Sequence, residues 1–163
     1  MDLQLTGKIA VVTGGTRGIG KAIARSLAGE GMDVAIIGRD LEAAKATASE
    51  IAGETGRTIR AYSADTGKDD AVRAAVAAIH KDFDRIDVLV NSAAQPSGQA
   101  KPPSLSEITD EMFWSDVNVK VMGYLRMARE VAPLMKQQGW GRIINISGLG
   151  ARQTGVTIGS IRN

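Results

Sequence analysis

Thr13-Gly14-Gly15-Thr16-Arg17-Gly18-Ile19-Gly20 holds the residue types and spacing most suited to chemistry in this chain. An apolar run, Ile9-Ala10-Val11-Val12, leads into it, and a stretch of helical periodicity, Ala22-Ile23-Ala24-Arg25-Ser26-Leu27-Ala28, follows it. Strand, glycine turn and helix in that order make an anion site. Glycines let a diphosphate approach the backbone, and the first free N–H groups of the helix point at it. On this reading Gly14, Gly18 and Gly20 frame the diphosphate, and Thr16, Arg17 and Ile19 line the same turn. The bland alternative is an ordinary tight turn before a helix. The spacing is Gly-x-x-x-Gly-x-Gly rather than the Gly-x-Gly-x-x-Gly of the general dinucleotide fingerprint.

The second apolar run ends Ala35-Ile36-Ile37-Gly38-Arg39-Asp40. A carboxylate at such a strand end hydrogen-bonds the ribose 2′-hydroxyl of NAD, whereas a basic residue accommodates the 2′-phosphate of NADP. Gly38 takes the usual acidic position, Arg39 follows it, and Arg17 lies in the glycine turn. Two guanidiniums form a charge-assisted clamp for one phosphate, so NADP is predicted over NAD; two solvated surface arginines are the alternative. Asp40 reads as the N-cap of a helix beginning at Leu41.

Positioning these residues requires a regular alternation of elements. Strand-like runs cover 8–13, 33–38, 58–63, 86–91 and 142–147, and helical stretches cover 18–31, 41–54, 68–83 and 108–138. Several strands are continuous Val/Ile runs, as in parallel strands covered on both faces. Repeated strand–helix–strand units with right-handed crossovers predict an α/β fold, a Rossmann-like doubly wound parallel sheet with helices on both faces. Ligands of such sheets bind outside the carboxyl ends of the strands, where strand order reverses. Gly14, Asp65, Asn91 and Ser147 all fall at or just past predicted strand ends. The irregular stretch 93–106 follows a strand end, carries three of the four prolines, and reads as a loop over a ligand site.

Composition narrows the classes. With 163 residues, 44% hydrophobic and 23% charged, residues 1–163 read as a single globular domain. No apolar run approaches the roughly 18 residues of a membrane span. Met1-Asp2-Leu3-Gln4-Leu5 lacks the layout of a signal peptide. The absence of cysteine excludes disulfides and thiolate metal sites and is compatible with a cytoplasmic protein. Twenty basic against eighteen acidic residues, scattered along the chain, leave no nucleic-acid footprint. A phosphate-loop reading of Gly15-Thr16-Arg17-Gly18-Ile19-Gly20-Lys21-Ala22 fails at Ala22, which lacks the hydroxyl that binds Mg²⁺. A nucleotide triphosphatase is therefore a distant alternative.

Taken together, these positions resemble the short-chain dehydrogenase/reductase family from about Leu5 onward. The glycine turn is similar to that family's cofactor motif, and Asp65 to the acidic residue that holds the adenine. Asn91-Ser92-Ala93-Ala94 resembles the family's Asn-Asn-Ala-Gly stretch with two departures, and Asn91 and Ala93 join the cofactor-binding set. Asn118 matches the family's active-site asparagine and Ser147 its catalytic serine. The resemblance implies hydride transfer between nicotinamide and a carbonyl or secondary alcohol of a small-molecule substrate. It implies that the serine hydroxyl bonds the substrate oxygen and that the asparagine helps hold a proton-relaying water. It also implies a tyrosine about a dozen residues after the serine and a lysine four further on. Here Gly159 or Ser160 occupies the tyrosine's place, and Asn163 stands at the lysine's place in one register. Tyr62 belongs to the adenine side. Tyr124, six positions from Asn118 and about 240° around a helix, is expected to face elsewhere. His80 reads as a solvated surface residue. A second reading follows, a dinucleotide-binding protein of this fold without redox turnover, acting as a sensor or oligomer partner. Family members run on through a further helix and two strands, so this chain is expected to be the N-terminal two-thirds of a longer one. The resemblance also implies a homo-oligomer, dimer or tetramer. Met112, Met122, Met127 and Met135 read as core, or as part of the family's helix-pair interface.

Overall fold

The computed structural model describes residues 3–94 and 104–148. Within them, β1 (Ile9–Thr13), β2 (Asp33–Gly38), β3 (Ile59–Ser63), β4 (Val88–Asn91) and β5 (Arg142–Asn145) form one parallel sheet in the order β3-β2-β1-β4-β5. The chain winds outward from β1 through β2 to β3, then returns to place β4 on the other flank of β1. The reversal therefore falls between β1 and β4. Helices α1 (Gly18–Gly29), α2 (Leu41–Thr55) and α3 (Asp69–Phe83) make the crossovers.

Period-two alternation decides which helices each strand residue meets. Ala10, Val12, Val34, Ile36, Val88 and Val90 pack with Ala24, Ala28, Ala44 and Ile51 of α1 and α2. Val11, Ala35, Ile37 and Leu89 turn to the opposite face, against Val72, Val76 and Ile79 of α3 and Met127 and Val131 of the last helix. Both faces of β1, β2 and β4 are covered, which is why these central strands are largely apolar, whereas the edge strands β3 and β5 are more exposed. The α/β Rossmann-like reading of the sequence holds.

The boundaries differ by one or two residues. β4 starts at Val88 because Ile86 and Asp87 are a buried lead-in, with the Asp87 amide bonded to the Ile9 carbonyl at 2.9 Å. The Asp87 carboxylate accepts from the Ile9 amide at 2.8 Å and pairs with Arg85. Helix starts follow local chemistry: Asp40 caps α2 by accepting from the Glu42 and Ala43 amides, as predicted.

The larger correction concerns the continuous helix expected over 108–138. It is broken into α4 (Asp110–Asp116), a π-helical turn at Val117–Met122, and α5 (Gly123–Gln137). Asn118 donates to the Gly67 carbonyl at 3.1 Å. Gly123 lies so close to Thr66 that an added Cβ would sit 3.0 Å from its hydroxyl oxygen. These two anchors grip the same loop five positions apart, which in an α-helix would point them about 140° from each other. The i→i+5 winding of a π turn brings them toward one face. Methionine roles split accordingly: Met127 and Met135 are core, but Met112 and Met122 are exposed. Residues 95–103, and the segment containing Gly159, Ser160 and Asn163, lie outside the described residues.

Candidate cofactor and active site

The glycine turn is bolted to its surroundings from three sides. The Gly14 and Gly15 amides donate to the Ile37 carbonyl at 2.9 and 3.4 Å, tying the turn to β2. Gly14 has φ +67°, and a Cβ there would stand 3.0 Å from the Ala93 Cα. At Gly20 a Cβ would collide with the Gly14 carbonyl, so α1 can pack against the turn only with glycine at that position. Thr13, fully buried at the end of β1, accepts from the Ser92 and Ala93 amides at 3.0 and 3.1 Å. One hydroxyl thus fastens the segment after β4 beside the turn. Sequence reading placed Thr13 in the motif but assigned it no role; its position as the last inward residue of β1 was the available signal.

The start of α1 is open. No side chain caps it and its first turn has no acid, whereas α2 carries the Asp40 cap with Glu42, α3 has Asp69 and Asp70, and α4 has the Thr109 cap with Asp110 and Glu111. Such an end suits a negatively charged ligand. Ile19, in this first turn, is largely exposed. Nearby cations divide into two kinds. Lys21 and Arg25 are committed to Glu50 and Glu54. Arg17 and Arg39 are exposed, and their guanidiniums have no ion pair or hydrogen bond among the described residues.

Asn91 is buried where β4 ends. Its amide nitrogen donates to Asn145 Oδ1 at 2.9 Å and to the Tyr124 carbonyl at 3.4 Å, while its Oδ1 is buried with no partner among the described residues. The Asn91 carbonyl accepts from the Ile146 amide at 2.9 Å, which continues the ladder past β5. Ser147 follows, exposed and without a hydrogen bond among the described residues. The Tyr124 hydroxyl donates to the Ile146 carbonyl at 3.1 Å. Tyr124 and Asn118 contact different elements, in line with the helical count. That count could not show that Tyr124 reaches the Ile146 carbonyl, because the contact depends on how α5 packs beside β5. Burial pushes the Tyr124 hydroxyl above its ordinary range.

A second group forms after β3. Asp65 Oδ1 accepts from the Gly67 amide at 2.9 Å. Arg126, largely buried, donates to the Asn118 carbonyl at 3.0 Å, to Asn118 Oδ1 at 2.8 Å and to the Thr66 carbonyl at 3.2 Å. Asn118 is therefore clamped between the β3–α3 loop and α5. Arg126 had no sequence signal, since its role follows from the π turn. Tyr62 turns toward α3, where its hydroxyl donates to Asp82 at 2.7 Å. His80 is half-buried, with Nδ1 lacking a partner among the described residues, rather than the solvated residue expected. No group of three or more metal-ligating side chains occurs among the described residues.

The glycine surface, the uncapped α1 and the strand ends on either side of the β1/β4 reversal together fit a dinucleotide. A family model for short chain dehydrogenases matches residues 8–160. The chain belongs to the short-chain dehydrogenase family. Among its short-chain dehydrogenase relatives, the D-threitol dehydrogenase of Mycolicibacterium smegmatis is 34% identical over 146 residues, 90% of this chain and 54% of that protein. The L-sorbose reductase of Gluconobacter frateurii, solved with NADPH and L-sorbose, superposes with a TM-score of 0.90 at 30% identity, covering 99% of this chain and 60% of the reductase. An NAD⁺-bound xylitol dehydrogenase superposes with a TM-score of 0.87 at 28% identity, covering 98% of this chain and 61% of the other. The chain spans 53–58% of the length of the curated relatives it matches. The family assignment leaves the triphosphatase reading without support.

Proposed function

We propose that this chain is the cofactor-binding part of an NADP-dependent oxidoreductase that interconverts a carbonyl and a secondary alcohol on a small polyhydroxylated substrate. The observation that carries the cofactor choice is the pair of unengaged guanidiniums, Arg17 and Arg39, flanking a strand end that has no carboxylate at Gly38. Both cofactor classes occur among the structural relatives, one solved with NADPH and one with NAD⁺. The charge of the site is what favours the phosphorylated form here. Polyol and ketose chemistry is suggested by the names of the relatives, D-threitol dehydrogenase and L-sorbose reductase.

In this reading Gly14, Thr16, Gly18, Ile19 and Gly20 with the α1 amides bind the diphosphate. Arg17 and Arg39 bind the 2′-phosphate, Asp65 faces the adenine, and Asn91 and Ala93 bound the nicotinamide side. The bound dinucleotide supplies a carbon that gives or takes a hydride. Ser147 is the group that donates its hydroxyl hydrogen to the substrate oxygen in this reading, and Asn118 belongs to the active-site end. A cytoplasmic setting and self-association, as dimer or tetramer, belong to the same proposal.

The test is cofactor binding and turnover across ketoses and polyols. Arg39→Ala is expected to weaken NADPH by about tenfold or more and NADH by less than about twofold, the size of one lost charge-assisted contact. Equal losses for both would overturn the 2′-phosphate assignment. A second reading, a binding protein without turnover, is favoured by Gly159 or Ser160 at the tyrosine's place. Tight NADPH binding with no oxidation of any substrate in the panel would select it.

A further inference from the structure

We infer that Thr16 is the specificity-determining residue of the cofactor site, because its methyl group occupies the space that any side chain at position 38 needs. The inference rests on the 2′-phosphate reading above and adds the residue that enforces it. A Cβ built on Gly38 lies 2.5 Å from Thr16 Cγ2 but 3.8 Å from Thr16 Cβ. The first separation is far inside contact distance; the second is ordinary van der Waals packing. The methyl alone makes the obstruction.

The backbones of both partners are fixed. Gly38 is buried at the end of β2, in register with Ser63, and its carbonyl accepts from the Ala64 amide at 3.0 Å. The Thr16 carbonyl accepts from the hydroxyl of Thr47, a buried residue of α2, at 3.0 Å. Rotating Thr16 gives limited relief, since a β-branched side chain always fills two of its three staggered directions. A carboxylate therefore cannot enter at 38 while Thr16 keeps its shape. Its absence has two effects. No acceptor awaits a ribose 2′-hydroxyl, and no negative charge opposes a phosphate held by Arg17 and Arg39. Discrimination between the two cofactors thus depends on steric exclusion in the glycine turn as well as on the arginines.

The experiment is a double-mutant cycle on the full chain, reading thermal midpoint and binding of NADPH and NADH separately. Gly38→Ala is expected to lower the midpoint by about 2–4 °C. In a Thr16→Ala background the same change should shift it by less than about 1 °C. Gly38→Asp alone should weaken both cofactors by about tenfold, whereas Thr16→Ala/Gly38→Asp should refold to the parental midpoint and favour NADH by about tenfold. Equal tolerance of Gly38→Ala in both backgrounds would overturn the inference, as would Gly38→Asp alone matching the double variant's NADH preference. If Gly38→Asp does not fold, the alanine pair still decides the coupling. A parent chain that prefers NADH would overturn the 2′-phosphate reading, while the midpoint cycle would continue to report on Thr16.

Discussion

Tyr62 and Tyr124 are the two phenols of the chain, and both are tied down by their hydroxyls, one on Asp82 and the other on the Ile146 carbonyl. Burial raises both above the ordinary value of 10.0, and for Tyr62 the bond to the Asp82 carboxylate raises it further. The sign of the linkage follows. Below pH 10 both phenols are neutral folded or unfolded, and their contribution to stability is intact. Above it the unfolded chain ionises first, so stability falls as pH rises toward the folded values. A tyrosinate absorbance titration reads only these two residues. Native protein should show no transition centred at 10, and denatured protein should show both there; a native transition at 10 would remove either assignment. Asp82 moves the opposite way, held low mainly by the Tyr62 hydroxyl, so its contribution is present above its unfolded value and lost as pH falls through the folded one. Thr13 makes a related point. Threonine at the end of a strand is unremarkable in sequence, yet it seats two amides of the segment after β4, its neighbour in the sheet.

At the scale of elements, the strand–turn–helix unit was legible because an apolar run, a cluster of glycines and a helical periodicity follow one another directly in the chain. The helix after the long loop was not. Its periodicity is helical throughout, but the winding changes where Asn118 and Gly123 must both meet the β3–α3 loop. That loop is some fifty residues away in sequence, and no local pattern records the demand. Arg126 holds the π turn in place through the Asn118 and Thr66 carbonyls. Arg126→Ala leaves these acceptors without their donor and should cost about 2 kcal/mol. Amide exchange should quicken across Val117–Met122 while β1 and β2 keep their protection. Unchanged exchange in the π turn would show that packing alone sustains it.

For the whole molecule, the notable surface is an apolar band on α4, the π turn and α5. Met112, Phe113, Trp114, Val121, Met122 and Leu125 are all exposed, Trp114 at 64% and Leu125 at 57%. Ile143 and Ile144 add apolar exposure on the edge strand β5. A patch of this kind marks an interaction surface. Sedimentation should show mass increasing with concentration. Leu125→Asp should shift the distribution toward monomer, and a chain monomeric at all concentrations would refute self-association through this band. Among the described residues, no helix is long and apolar enough to cross a membrane.

The glycine turn, the apolar strands, the Asp40 cap and the order of elements were determined by sequence alone, because each depends on residues close together in the chain. The unengaged arginines were named from sequence too, since charge type is local information. Tertiary structure decided what surrounds them. It placed the Thr16 methyl over Gly38, clamped Asn118 under Arg126, set the Tyr124 hydroxyl on the Ile146 carbonyl, and left Met112 and Met122 outside the core. Those outcomes depend on distances between residues far apart in the chain, and such distances exist only once the sheet has brought its strand ends together.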